Sequence, residues 1–377
     1  MKSIKVTSFL LCLIIYTLFA VGKILPIFLL GYMLPVNTLL AVLLASIFFY
    51  FGTINVRDLT NITFLYIPFA MVFILSSFDT QYQEYAMAKL DGALFFGFIS
   101  SILVAAFVRL SGFEGAVKSF IYTALVMLFL TVIYKLIFGF FDRNVRFFLN
   151  GPIVFGWLMS MAAIASLYNF FSLEKRFYLV SFFILFISVF WTFSKGPILS
   201  LLICCTILIS SFGLQKKVLK IISLMLLILF LILNSDVPQV NRIMMALDYS
   251  NNTEASHGSI GSRLELYLDT LRIISQNLWG GVGLGNWQYY NQSNFIYPHN
   301  LILEILSELG VLLGGGVLIY ILLLFYKCPR ELKLIMLFMF LALQFSGDTT
   351  YLYFFYSIPI AGIALSLRKK IDNNVFS

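Results

Sequence analysis

Long apolar runs, broken at short intervals by small clusters of polar and basic residues, repeat along nearly the whole chain. Most come close to the roughly 20 residues that a helix needs to cross a hydrocarbon core about 30 Å thick. The pattern predicts about twelve transmembrane helices, at 7–33, 37–53, 62–78, 92–110, 119–141, 152–171, 177–193, 197–214, 218–233, 301–326, 331–346 and 351–367. Gly22-Lys23 interrupts the first of them. Between spans nine and ten the apolar pattern gives way to a long polar loop. The expected organisation is therefore spans one to nine over 1–233, an outer loop over 234–300, and spans ten to twelve with a tail over 301–377. The fold class is an all-α polytopic membrane protein.

The loop has structure of its own. Its first part, 234–261, shows little periodicity, and His257 there reads as an exposed loop histidine. Ser262 with Glu265 three residues on is a capping-box pattern. Leu264, Tyr267, Leu268, Leu271 and Ile274 then recur at helical spacing. Residues 263–277 are predicted to form an amphipathic helix on the membrane surface or against the bundle. Gly280-Gly281-Val282-Gly283-Leu284-Gly285 lacks the preceding strand and the Lys-Ser or Lys-Thr end of a phosphate loop, so it reads as a tight backbone passage. Pro298 suits the start of the next helix.

Composition agrees with the pattern. Apolar residues make up 61% of the chain and charged residues 11%, against about 45–50% and about 25% in soluble domains. The net charge of +8 does not mark a nucleic-acid binder, because the basic residues punctuate the apolar runs instead of forming one patch. Most of the 25 Lys and Arg residues fall on one side if both termini are cytoplasmic. The positive-inside rule then puts 234–300 outside, in the periplasm, on a multi-pass protein of the inner membrane. Cys12, Cys204, Cys205 and Cys328 lie in or beside spans, which predicts neither a disulfide nor a cysteine metal site.

The cations on the outer side are the informative ones: Lys89, Arg143, Arg146, Lys195, Arg242, Arg263 and Arg272. Lys195, in Ser194-Lys195-Gly196-Pro197, sits at the outer end of a tight hairpin between two spans. It is either a snorkelling lysine or an anion-binding cation. Arg263 falls in the first turn of the amphipathic helix, where the dipole favours anions and a guanidinium fork fits a phosphate. His299 is one of two histidines and stands where the loop re-enters the membrane. Asn300, Glu304 and Glu308 follow at four-residue spacing on one helix face. Carboxylates there need partners or a polar cavity. They either order the histidine's surroundings or bind sugar hydroxyls, and Asn300 equally suits a helix cap. His299 has no histidine or acidic cluster at zinc-ligand spacing, and no acidic pair suits a divalent metal on a sugar nucleotide. No cofactor is expected.

Arg263, then Asn277-Leu278-Trp279-Gly280-Gly281-Val282-Gly283-Leu284-Gly285, then His299-Asn300 with Glu304 and Glu308-Leu309-Gly310, resembles the shared domain of the O-antigen polymerase and O-antigen ligase superfamily. Ser194-Lys195-Gly196 is similar to that family's Ser-Arg-Gly element. The resemblance covers about residues 190–315, and it implies a membrane glycosyltransferase of GT-C-like architecture. It implies an undecaprenyl-pyrophosphate-linked glycan as donor and a second glycan as acceptor. Lys195 and Arg263 would hold the donor pyrophosphate, and His299 would act on the acceptor hydroxyl. Arg272, Asn300 and Glu304 would assist in substrate binding, and Arg143 and Arg146 would face the donor or anionic lipid headgroups. Lys195 departs from the arginine usual in ligases and loses its bidentate geometry.

The leading expectation is a polymerase that joins lipid-linked repeat units by inverting, metal-independent transfer, alongside a chain-length regulator protein. The alternative is a ligase that moves the polymer to lipid A–core, with a protein O-oligosaccharyltransferase third. A lipid-glycan flippase or secondary transporter fits twelve spans. It ranks lower because no internal repeat is seen and the unusual residues gather at the outer face.

Overall fold

The computed structural model describes residues 6–21, 26–29, 32–78, 80–81, 83–142, 145–212, 221–222, 225, 261–292 and 295–375. Arg143, His257 and most of the expected ninth span lie outside the described residues.

Among the described residues the chain is helical apart from one short hairpin and its loops. The first helices are α1 (Val6–Val21), α2 (Val36–Tyr50), α3 (Val56–Ser77), α4 (Gln83–Leu90) and α5 (Gly97–Ser111), the last two joined by a π-helical turn, Asp91–Phe96. Then come α6 (Phe113–Phe138), α7 (Pro152–Leu173), α8 (Arg176–Trp191) and α9 (Lys195–Ser211). The outer loop contributes α10 (Gly261–Gln276) and the single turn α11 (Trp287–Tyr290). α12 (Leu301–Leu309) leads through a π turn, Gly310–Gly314, into α13 (Gly315–Lys327), followed by α14 (Arg330–Ser346) and α15 (Leu352–Val375). Among the described residues five helical stretches are long and apolar enough to cross a membrane: Val56–Ser77, Gln83–Ser111, Phe113–Phe138, Pro152–Leu173 and Leu301–Lys327. Helices are the element expected there, since hydrocarbon offers no partner for a backbone N–H or C=O.

The first span departs from the sequence reading. Helix α1 stops at Val21, and β1 (Pro26–Leu29) pairs antiparallel with β2 (Tyr32–Pro35) where 7–33 was read as one helix. Gly22 disfavours helix, and Pro26 can neither donate to the preceding turn nor avoid its carbonyl.

The core is centred on α7, whose residues from Val154 to Leu167 are all buried and which packs against α6, α8, α9 and α14. α15 packs on α3 and α5, and α14 on α9. At one end of the bundle α3 opens with a capping box between Asn55 and Asp58. The buried Asp58 there pairs with Arg109 at 2.9 Å. The starts of α4, α9 and α12 and the end of α14 meet at the opposite end, which carries the expected chemistry.

Candidate active site

His299 stands immediately before α12. Asn300 caps that helix, its Oδ1 accepting from the Leu303 N–H at 3.0 Å while its Nδ2 donates to the Gln344 carbonyl at 3.4 Å. Gln344 also accepts the Ile302 N–H through its side-chain oxygen at 3.3 Å. These bonds fix the helix start against the end of α14. His299 itself has φ 56°, the left-handed region, which costs a non-glycine residue about 1–3 kcal/mol and persists where surroundings impose it. Its ring lies edge-on to Tyr297 at 4.3 Å and to Phe295 at 5.7 Å. Its Nδ1 is buried with no hydrogen-bond partner among the described residues. Burial first, and then the Arg263 charge, lower the imidazole pKa to about 4, against the opposing pull of Asp348. Burial and Asp348 raise the neighbouring Tyr297 phenol, against a lowering by Arg263. The pair is neutral at pH 7, beside the Arg263 guanidinium and the Asp348 carboxylate, with Glu304 also acting on the phenol.

Beneath the histidine is a buried ionic network. Lys89 of α4 reaches Glu304 and Glu308 of α12, each at 2.6 Å, and all three side chains are closed to solvent. Glu304 also accepts from the backbone and hydroxyl of Thr349, at 3.2 and 3.0 Å. Tyr85, one turn before Lys89, donates to Asp348 at 2.7 Å and lies under the Lys89 ammonium at 4.6 Å. Asp348 caps the short turn after α14, accepting from the backbone and hydroxyl of Thr350. Three carboxylates and one lysine thus share a small dry volume. One oxygen each of Glu304 and Glu308 has no hydrogen-bond partner among the described residues.

The glycine run is a backbone passage, as its sequence suggested. Val282 and Gly283 donate to the Ser307 and Glu308 carbonyls, both at 2.9 Å. Gly281, at φ 70°, has no room for a side chain, because a Cβ there would meet the Glu308 carbonyl at 2.4 Å. Leu284 donates to Ser76 at 3.1 Å, and Asn286 accepts the Gln81 N–H at 2.8 Å. The run therefore threads between α12 and the end of α3. Trp287 then donates to Thr270 at 3.0 Å, securing α10.

Helix α10 runs from Gly261, so Ser262 lies within it and not at the cap position that the sequence suggested. Its buried face is Leu266, Thr270, Ile273 and Ile274; of the expected apolar stripe Ile274 is buried and Tyr267 half-buried, while Leu264, Leu268 and Leu271 face outward. Arg263 is half-buried in its first turn. Tyr267 donates to the Gln344 carbonyl at 3.4 Å, so α10 and α12 share one anchor. Arg272 is engaged otherwise: it pairs with Asp269 at 2.7 Å and donates to the Tyr290 carbonyl at 3.0 Å. That holds the turn around α11.

Lys195 is the first residue of α9, after a hairpin in which Phe193 also adopts a left-handed φ of 49°. A Cβ on Gly196 would lie 2.9 Å from Phe345, so this turn abuts the same end of α14 that holds α10 and α12. The elements bearing Lys195, Arg263, His299, Asn300 and Glu304 thus converge on Gln344–Asp348. Arg146 does not join them by any described contact. It is exposed on the loop after α6, where Trp191 anchors Phe140 at 3.1 Å.

The sequence reading placed Lys89 among the outer-side cations without giving it a partner, and it did not single out Tyr85, Gln344 or Asp348. For Lys89 there was a signal, since two carboxylates on an apolar helix call for a buried cation. No group of three His, Cys, Asp or Glu side chains among the described residues is arranged to hold a metal ion.

Apolar helices of membrane-crossing length, with a polar cluster gathered at one end of the bundle, define a multi-pass α-helical membrane protein. Residues 180–318 match the family model described as O-antigen ligase, which bears out the resemblance to the O-antigen polymerase and ligase superfamily. The matched segment contains Lys195, Arg263, His299, Glu304 and Glu308. No curated protein matches the chain.

Proposed function

We propose that this chain is a surface-polysaccharide polymerase, joining undecaprenyl-pyrophosphate-linked repeat units at the periplasmic face of the inner membrane, with both termini in the cytoplasm. What carries it is His299: a partly buried imidazole held neutral, with an unpartnered Nδ1, at a helix start shared with the Arg263 helix. A neutral imidazole can take the proton of an attacking sugar hydroxyl. The hydroxyl oxygen bonds to the donor's anomeric carbon as the sugar–phosphate bond breaks, inverting that centre. The pyrophosphate leaves with the bonding pair, and Arg263 and Lys195 stabilise its charge in a site poor in water. No covalent intermediate on the protein and no metal ion is needed. Asn300 and Glu304 act mainly by holding the helix that carries His299, and Arg272 by holding α11.

The description of the matched family favours a second reading, a ligase that transfers finished polymer to lipid A–core. Lysine at 195, where ligases usually carry arginine, favours the polymerase. The polysaccharide gel profile of a strain lacking this protein separates the two. Lipopolysaccharide with a single repeat unit and no ladder supports the polymerase. Bare core with polymer accumulating on undecaprenyl pyrophosphate supports the ligase, and an unchanged profile defeats both.

A further inference from the structure

Helix α10 is apolar on two faces. Leu266, Thr270 and Ile273 pack inward, leaving Leu264, Leu268 and Leu271 as an exposed ridge at i, i+4 and i+7. Solvated helices rarely carry such a ridge, and a second apolar face needs a second apolar environment. The ridge continues past the end of the helix into Leu278 and Trp279, the latter 64% exposed.

What covers it follows from two backbone hydrogen bonds. Val311 donates to the Leu278 carbonyl at 2.8 Å and Leu312 to the Trp279 carbonyl at 3.4 Å. Leu278-Trp279 is therefore level with Leu312, inside the stretch Leu301–Lys327 that is long and apolar enough to cross a membrane. Leu312 is itself 64% exposed and begins an outward apolar stripe that Ile319 and Leu323 continue along α13. From Lys327 to Leu312 the helix rises about 22 Å at about 1.5 Å per residue. With Lys327 at one boundary of a core about 30 Å thick, Leu312 lies roughly 8 Å inside the other. Trp279 is then in the outer part of the hydrocarbon, close to the interface where tryptophan concentrates.

We propose that Leu264, Leu268, Leu271, Leu278 and Trp279 form a lipid-immersed ridge, so that α10 lies in the outer leaflet with its other face on the bundle. The occupant is the acyl region of the bilayer. The ridge is continuous with the lipid-facing stripe of α13 and carries no charged side chain. This placement depends on the chain being a membrane protein and not on the reaction it performs. Arg263, one residue before the ridge, is consequently held at the headgroup boundary.

The test is tryptophan fluorescence of the full chain in phosphatidylcholine vesicles, read as the difference between the wild type and Trp279→Phe. Trp279 is mostly exposed, so the substitution removes little packing, and Leu278→Phe provides a control with the fluorophore intact. Acyl-brominated phosphatidylcholine should remove most of the Trp279 component, while aqueous iodide leaves it nearly unchanged. Quenching by iodide and not by brominated lipid overturns the proposal, because the ridge would then face water. Protection from both also overturns it, since a second copy of the chain would then cover the ridge.

Discussion

Lys89 and Glu308 lie 219 residues apart in the chain, yet their side chains meet at 2.6 Å with no access to solvent. The same ammonium holds Glu304, one helical turn nearer His299. A single cation from α4 thereby fixes the helix that begins beside the candidate base. Removing it leaves two buried carboxylates without their counter-charge. Lys89→Met is expected to destabilise the protein by about 3–5 kcal/mol, with Lys89→Arg milder because charge is retained. Thermal unfolding in detergent measures both. A methionine variant as stable as the wild type would show that the network contributes nothing to the fold.

Gly281 and Gly280 offer a local contrast. At Gly281, φ is 70° and an added Cβ would meet the Glu308 carbonyl at 2.4 Å, whereas at Gly280 nothing lies within 4 Å. Gly281→Ala should cost about 1–3 kcal/mol or more through overpacking and backbone strain. Gly280→Ala should be close to neutral. Equal melting temperatures for the two would refute the close approach of the glycine run to α12.

The acid limb of the reaction should sit unusually low. The His299 pKa is lowered to about 4 from an ordinary 6.5 by burial and by Arg263. The neutral base therefore survives acidification until pH falls through about 4. kcat/KM, which reports the free enzyme, should stay near its plateau at pH 5.5 and drop only near pH 4. The linked stability runs in the same direction. The folded pKa lies below the unfolded one, so stability is fully present above about 6.5 and is lost as pH falls toward about 4. A half-maximal rate at pH 6.5 would show an ordinary, solvated histidine.

Arg263 tests whether geometry or charge alone is required. Arg263→Ala should lower turnover by about 10²-fold or more. Arg263→Lys should retain part of the rate, since charge stays while the bidentate fork is lost. Single-turnover assays with a polyprenyl-pyrophosphate donor distinguish these. Equal activity in both variants would make Arg263 a structural residue.

The legible part of the fold was the part governed by hydrophobic length. Helices α7 and α14 fall within two residues of their sequence-read limits. The hairpin after α1 was hidden because its residues are as apolar as a span, so only Gly22 and Pro26 signalled the break. At the site, His299 and Arg263 could be singled out because ionisable residues are rare there. Lys89 stood out only as an outer-side cation; its partners, like that of Asp348, could not be read because both sets of contacts span more than 200 residues of chain. For the apolar stripe of α10 the sequence leaves the membrane surface and the bundle both open. Periodicity identifies an apolar face without saying whether protein or lipid covers it.

The most direct test is reconstitution of the purified protein with a polyprenyl-pyrophosphate-linked repeat unit, with products resolved by gel. The wild type should convert the repeat unit into a ladder of longer lipid-linked chains. His299→Ala should leave it unextended while folding normally. An undiminished ladder from His299→Ala would contradict the assigned base. A wild-type protein that makes no ladder, yet moves the glycan onto added lipid A–core, would contradict the polymerase itself.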